Sequence, residues 1–177
     1  MDFFSLLLSL QTGYLERFEA GLAELQTKHA GVQAEVGFEL SQKAEVYKKL
    51  YVVDALTEDG SVVEFAPSEM NYSPRGNYGY KSLEISAAPL TWDAICLSPV
   101  TSDLPGFEKW FTHWLDIEAK RYDVEAGHGA AIHSVVFNGE AACIDFGTAP
   151  IAAMTDLLDL LIAGDISHLI LTDARTD

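Results

Sequence analysis

The sequence predicts an α+β domain: a mostly antiparallel sheet, made of a meander plus a C-terminal hairpin, with about three helices packed chiefly on one face. Three observations predict it. Apolar residues recur at steps of three and four in separate segments near the start, the middle and the end of the chain. Between them the pattern changes to alternation, and tight-turn pairs at Asp59-Gly60 and Asn138-Gly139 join neighbouring strands antiparallel. The 177 residues, 49% apolar and 11% aromatic, suit one core, and no repeat or linker divides residues 1–177.

Residues 3–29 read as a helix, because Leu7, Leu10, Tyr14, Phe18, Leu22 and Leu25 share a stripe that Glu16, Glu19 and Glu24 avoid. Asp2 or Ser5 supplies the cap. Gly13 and Gly21 each cost such a helix about 1 kcal/mol relative to alanine, tolerable where a neighbouring backbone packs close. Val32, Ala34, Val36, Phe38 and Leu40 then alternate with Gln33, Glu35, Gly37, Glu39 and Ser41, a half-buried strand with its glutamates facing out. Val46 to Leu56 reads as a longer strand, and Ser61 to Ala66 returns beside it. A helix across Ser41 to Leu50 competes, since Lys, Glu, Ala and Gln favour helix.

Residues 67–81 form a long irregular loop carrying Pro67, Pro74, Gly76 and Gly79. Strands are expected at Leu83 to Ala87 and Trp92 to Leu97. Asp103, Leu104 and Pro105 then announce a helix with Phe107, Trp110, Phe111, Trp114, Leu115 and Tyr122 on its apolar face. Ala131 to Phe137 and Glu140 to Phe146 flank Asn138-Gly139, which as a two-residue loop pairs Phe137 with Glu140, Val135 with Ala142 and His133 with Ile144. Thr148 caps a last helix opened by Pro150 and closed by Gly164, and Ile166 to Thr172 is a final strand.

Against 11 Lys and Arg stand 27 Asp and Glu, a formal net charge of -16. Such a field repels phosphate backbones and anionic headgroups, so neither nucleic acid nor a membrane surface is the expected partner, and it attracts basic proteins. The apolar run after Met1 lacks a basic flank, and no stretch is long enough to span a bilayer, so a cytoplasmic location is expected. Cys96 and Cys143 have no paired metal spacing and are expected to be buried free thiols.

No linear motif carries chemistry. The hairpin puts His133 on one face and Cys143 on the other, which separates them as a catalytic pair. His133, with no carboxylate in its neighbourhood of the sequence, reads as a core histidine, and His128 between two glycines reads as a surface one. His29, His113 and His168 suggest no role. Glycine-rich phosphate loops are absent, and neither a cofactor nor a metal is expected. The pairs Glu58, Asp59 and Asp156, Asp159 read as solvated surface. A catalytic site would have to gather Cys96, His133, Asp145 or His168 from distant segments into one cleft.

The residues best suited to recognition are Tyr72, Arg75, Asn77, Tyr78 and Tyr80, an amphipathic set on a glycine-rich loop. Residues 151–162 are apolar around more of the helix than one core-facing stripe needs, so this helix is either buried on two sides or the seat of a homodimer. The expected function is non-catalytic protein binding, as an acidic inhibitor of immunity type or as a secretion chaperone. In acidity and in its order of helix, sheet, helix, hairpin and helix, the chain resembles the dimeric chaperones of type III secretion, a likeness of architecture that carries no functional residue. The alternative is a small enzyme or ligand-binding protein with a site assembled from distant segments.

Overall fold

The structure is a computed structural model that describes residues 1–67 and 69–175. Helix α1 runs from Phe3 to Lys28, and Asp2 caps it by accepting the backbone N–H of Ser5 at 2.8 Å. Strands β1 (Gln33–Glu39), β2 (Leu50–Leu56) and β3 (Val62–Val63) form an antiparallel sheet in that order. The second sheet is built from β4 (Gly76–Tyr80), β5 (Leu83–Ala87), β6 (Ile95–Ser98), β7 (Ser134–Asn138), β8 (Ala141–Asp145) and β9 (His168–Asp173). Its order is β4, β5, β9, β6, β8, β7, antiparallel except where β9 runs parallel to β5. Helices α2 (Phe107–Leu115) and α3 (Ile151–Ala163) complete the fold.

The α+β class, the mostly antiparallel sheets and the C-terminal hairpin are those the patterning predicts. Alternate residues of the six-stranded sheet, among them Ile85, Leu97, Val135, Ile144 and Leu171, share one buried core with residues of all three helices. Among the described residues the opposite face carries no helix, and Ile170 stands 55% exposed there. Helix α2 buries Phe107, Trp110, Phe111, Trp114 and Leu115, while Tyr122 lies beyond its end and is exposed. The indole N–H of Trp110 donates to Ala153 O and that of Trp92 to Gly147 O, so these large side chains enter the core without an unsatisfied donor. Ile151, Met154, Leu157, Leu158 and Leu161 of α3 are buried within the chain itself, while Asp156 and Asp159 point outward.

Several local expectations change. Between β1 and β2 the chain makes neither a long strand nor an α-helix, but a single 3-10 turn at Tyr47–Lys49. Strand β3 has two residues, and β6 begins at Ile95 because Trp92 sits in a turn. Gly76 to Tyr80, expected as loop, pairs with β5. In the hairpin, Asn138 pairs with Ala141, Phe137 with Ala142 and Val135 with Ile144. The turn is therefore Gly139-Glu140, with Gly139 at φ +60°. That displaces the pairing by two residues, which leaves every side chain on its expected face.

Cys96 and Cys143, expected as free thiols, are directly paired across β6 and β8 and joined in a disulfide. Their separation of 47 residues hid the pairing: only the topology, which inserts β6 next to β8, makes them neighbours.

Candidate functional site

A buried ionic cluster forms where the two sheets meet. The backbone N–H of Val52 in β2 donates to the carbonyl of His133, just before β7, which fastens one sheet to the other at 2.7 Å. The His133 side chain is 2% exposed. Its Nε2 lies 2.9 Å from Glu35 Oε1, its Nδ1 3.1 Å from Asp54 Oδ1 and 4.0 Å from Asp145 Oδ2. The Asp54 approach is an ion contact rather than an aligned hydrogen bond. Asp54 also accepts from Tyr14 Oη at 3.2 Å and from the N–H of Phe65 at 2.6 Å. Glu35 accepts from Thr148 Oγ1 and from the N–H of Gly129.

Local backbone makes this possible. Glu35 stands opposite Asp54, between the pairs Ala34 with Ala55 and Val36 with Val53, and has φ +51°. A left-handed non-glycine residue costs about 1–3 kcal/mol and persists only where its surroundings hold it. Here His133, Thr148 and Gly129 hold the carboxylate, so the outward glutamate of an alternating strand turns into the core. Gly147, at φ +46°, leaves room for the imidazole: a Cβ there would lie 2.2 Å from His133 Cδ2.

The electrostatics follow from burial and neighbours. Burial alone would lower the imidazole, but the carboxylates of Asp54 and Glu35 outweigh it and hold His133 well above its usual value. Burial opposes ionisation of Asp54 too, and His133 and the Phe65 N–H overcome it, so Asp54 is lowered. Asp145 is pushed up to about 6, first by burial and then by Asp93 and Asp54, against the pull of His133. Glu64, exposed at its outer edge, is raised to about 7 by burial of its inner side and by Asp54. Tyr14 is raised well above its usual range by burial and by Asp145 and Asp54. At neutral pH the cluster is an imidazolium held among carboxylates, two of which titrate close to neutrality.

His133 is thus a core histidine, as its apolar strand suggests, but it has three carboxylates that no local spacing reveals. Asp54 had a signal: it is the one charge in the apolar run Leu50 to Leu56. Glu35 had none, since alternation places it outside. Thr148, expected to cap α3, serves Glu35 instead, and α3 starts without a side-chain cap. His128, expected at the surface, is 8% exposed, with Nδ1 2.7 Å from Gly129 O and its ring edge-on to Phe18.

Asp145 connects this cluster to the bare face of the six-stranded sheet. There a groove of about 650 Å³ has a floor of Ala94, the Cys96–Cys143 disulfide, Val136 and Ala141. Glu45, Asp93, Asp145 and Asp173 border it, with Arg175 as its single cationic side chain among the described residues. Arg175 Nη2 bonds Asp93 at 2.9 Å, and Arg17 reaches the same carboxylate from α1 at 3.0 Å.

The candidate recognition residues are divided. Tyr72 and Arg75 are exposed in the loop before β4, and Tyr72 walls a separate cleft against α1. Asn77 lies on the bare face, where its Oδ1 accepts from Ser86 Oγ at 3.0 Å. Tyr78 packs on Phe3 at 5.6 Å between ring centres, and Tyr80 donates to Asp159 at 3.1 Å. Of the four residues considered for catalysis, His133 and Asp145 meet. Cys96 is held in the disulfide, and His168 pairs with Glu84 at 2.8 Å at the far end of β9.

Among the described residues, no group of three or more His, Cys, Asp or Glu is arranged to hold a metal ion, and no helix is long and apolar enough to cross a membrane. No family model, curated protein or solved structure matches the chain.

Proposed function

We propose that this is a non-catalytic, acidic binding domain of the inhibitor or immunity type, which docks a basic protein on the bare face of its six-stranded sheet. One observation carries the proposal: among the described residues α1, α2 and α3 share the core on one face, and the other presents a small-residue floor bordered by Glu45, Asp93, Asp145 and Asp173. A solvated sheet face ordinarily carries long polar side chains. An apolar centre with a charged border is instead the anatomy of a protein interface. The net charge of -16 adds steering toward a cationic partner. Asn77 extends this face toward the β4 edge, and Tyr72 and Arg75 stand in the loop that leads to it. The buried cluster supports the role from behind by fixing the register of the two sheets. A catalytic role is disfavoured because the His133 ring is sealed in the core.

The test is parallel capture from cell lysate on the wild type and on an Ala141→Arg variant, with elution by a salt gradient. The expected result is a basic protein retained by the wild type, released by salt and lost on the variant, a change of about 2 kcal/mol or more for a blocked interface centre. Retention of the same proteins by both forms refutes the proposed face.

A further inference from the structure

We infer that the Cys96–Cys143 disulfide is a thiol–disulfide exchange site, open on the bare face of the six-stranded sheet and selective for thiols that carry positive charge. Alternation puts it on that face. Ile95, Leu97, Ala142 and Ile144, the neighbours of the two cysteines along β6 and β8, are all core residues, so both sulfurs are directed the other way. There the flanking strands set Val136 and Thr172 in register with the pair, and Ala94, Ala141 and Asp145 lie beside it along the strands. Four of these five are small or β-branched, so its immediate neighbours leave the bond open to the groove.

The surrounding sheet lets the bond open without loss of the fold. Pairing of β6 with β8 continues on either side of it, at Ile95 with Ile144 and at Leu97 with Ala142. Cys96 is buried and Cys143 half-buried, so an incoming thiolate reaches Cys143 Sγ. A bond forms from the attacking sulfur to Cys143 Sγ, the bond to Cys96 breaks, and its electron pair departs on Cys96 Sγ, which takes a proton from water. A second thiol then attacks the mixed disulfide and releases Cys143 as a thiol. Two external thiols are oxidised to one disulfide, and the protein disulfide is reduced to two thiols.

Charge around the bond decides which thiol reacts. Glu45, Asp93, Asp145 and Asp173 border the groove, and Arg175 is engaged by Asp93 at 2.9 Å. An attacking thiolate approaches against this field, and the departing thiolate of Cys96 forms within it. A cationic group beside the attacking sulfur offsets both effects, and an anionic group adds to both. The site shares the groove of the proposed docking face, but its chemistry needs no docked protein.

The test uses purified protein and three small thiols: cysteamine, mercaptoethanol and thioglycolate, which are cationic, neutral and anionic. Each reduction rate is divided by that thiol's rate on a small neutral disulfide, which removes differences in intrinsic reactivity. At low salt the normalised rate is expected to fall by at least about tenfold from cysteamine to thioglycolate. The spread should collapse in about 1 M salt, where the Debye length is about 3 Å. Urea too dilute to unfold the protein should leave the rates unchanged, because the bond is attacked in the folded state. The double variant Glu45→Gln, Asp145→Asn should narrow the spread severalfold. Rates that rise steeply with dilute urea, equal normalised rates for the three thiols, or an undiminished spread in the double variant overturn the inference. Capture of a basic protein from lysate bears on the docking face alone, so the two readings fail separately.

Discussion

Replacing Asp145 by Asn, nearly the same shape without the charge, is expected to stabilise the protein in mildly alkaline solution and not in acid. The Asp145 carboxyl is raised from 3.8 to about 6, first by burial and then by Asp93 and Asp54. At 1.36 kcal/mol per pH unit, its ionisation opposes folding by about 3 kcal/mol. The side chain is 29% exposed, and solvent screening reduces the effect to about 1–2 kcal/mol. The sign follows from proton uptake. The folded state holds this proton more tightly than the unfolded chain, so the stability it confers is complete below 3.8 and lost as pH rises through about 6. The backbone N–H of Gly147 bonds Asp145 Oδ1 at 2.9 Å, a contact the asparagine oxygen retains. Urea denaturation of both forms at about pH 4 and about pH 8 measures the difference. The variant should match the wild type in acid and exceed it by about 1–2 kcal/mol in base. A variant less stable than the wild type at about pH 8 would show that attraction to His133 outweighs desolvation, and would refute the electrostatic account of the cluster.

The cluster and its supporting backbone give two more expectations. His133→Ala strands the carboxylates of Glu35 and Asp54 in the core and should cost about 3–5 kcal/mol in urea denaturation. Because the His133 value is raised, its contribution fades as pH climbs through the folded value, and because Asp54 is lowered, its contribution is lost as pH falls through the carboxylate range, so the loss should be largest between the two, at about pH 5–6, and shrink in stronger acid where the stranded carboxylates take up protons. Gly147→Ala sets a Cβ into the imidazole at a left-handed φ and should destabilise by more than about 2 kcal/mol, whereas Gly60→Ala, at φ +85° in an open turn, should cost less in the same assay.

Periodicity made the framework legible because it records which side of an element is dry. The stripe of α1, the Trp110 and Trp114 face of α2 and the faces of the β7–β8 hairpin all follow from it. The hairpin also shows its limit: which residue leaves its strand first depends on turn geometry, and Asn138 stays paired. The ionic cluster was less visible. Its members come from α1, β1, β2, β8 and the segments before β7 and α3, and Glu35 and Thr148 are separated by 113 residues. Alternation assigns Glu35 to solvent because it assumes a regular strand, and a positive φ breaks that assumption. The disulfide was hidden for the same topological reason. A lone Asp54 among apolar neighbours was the one local mark of the cluster.

The position of β9 sets the order in which the fold can be completed. It lies between β5 and β6, so the β4–β5 hairpin on one side and β6, β8 and β7 on the other have no shared edge until residues 168–173 arrive. During synthesis from the N-terminus these two half-sheets wait with open strand edges on the flanks of an unfinished gap. Closing that gap requires contacts between segments far apart along the chain, a topology expected to fold slowly. A nascent chain that stops short of β9 therefore contains most of the sequence of the six-stranded sheet but no continuous sheet. The bare face, as a single surface, exists only once the last strand is in place.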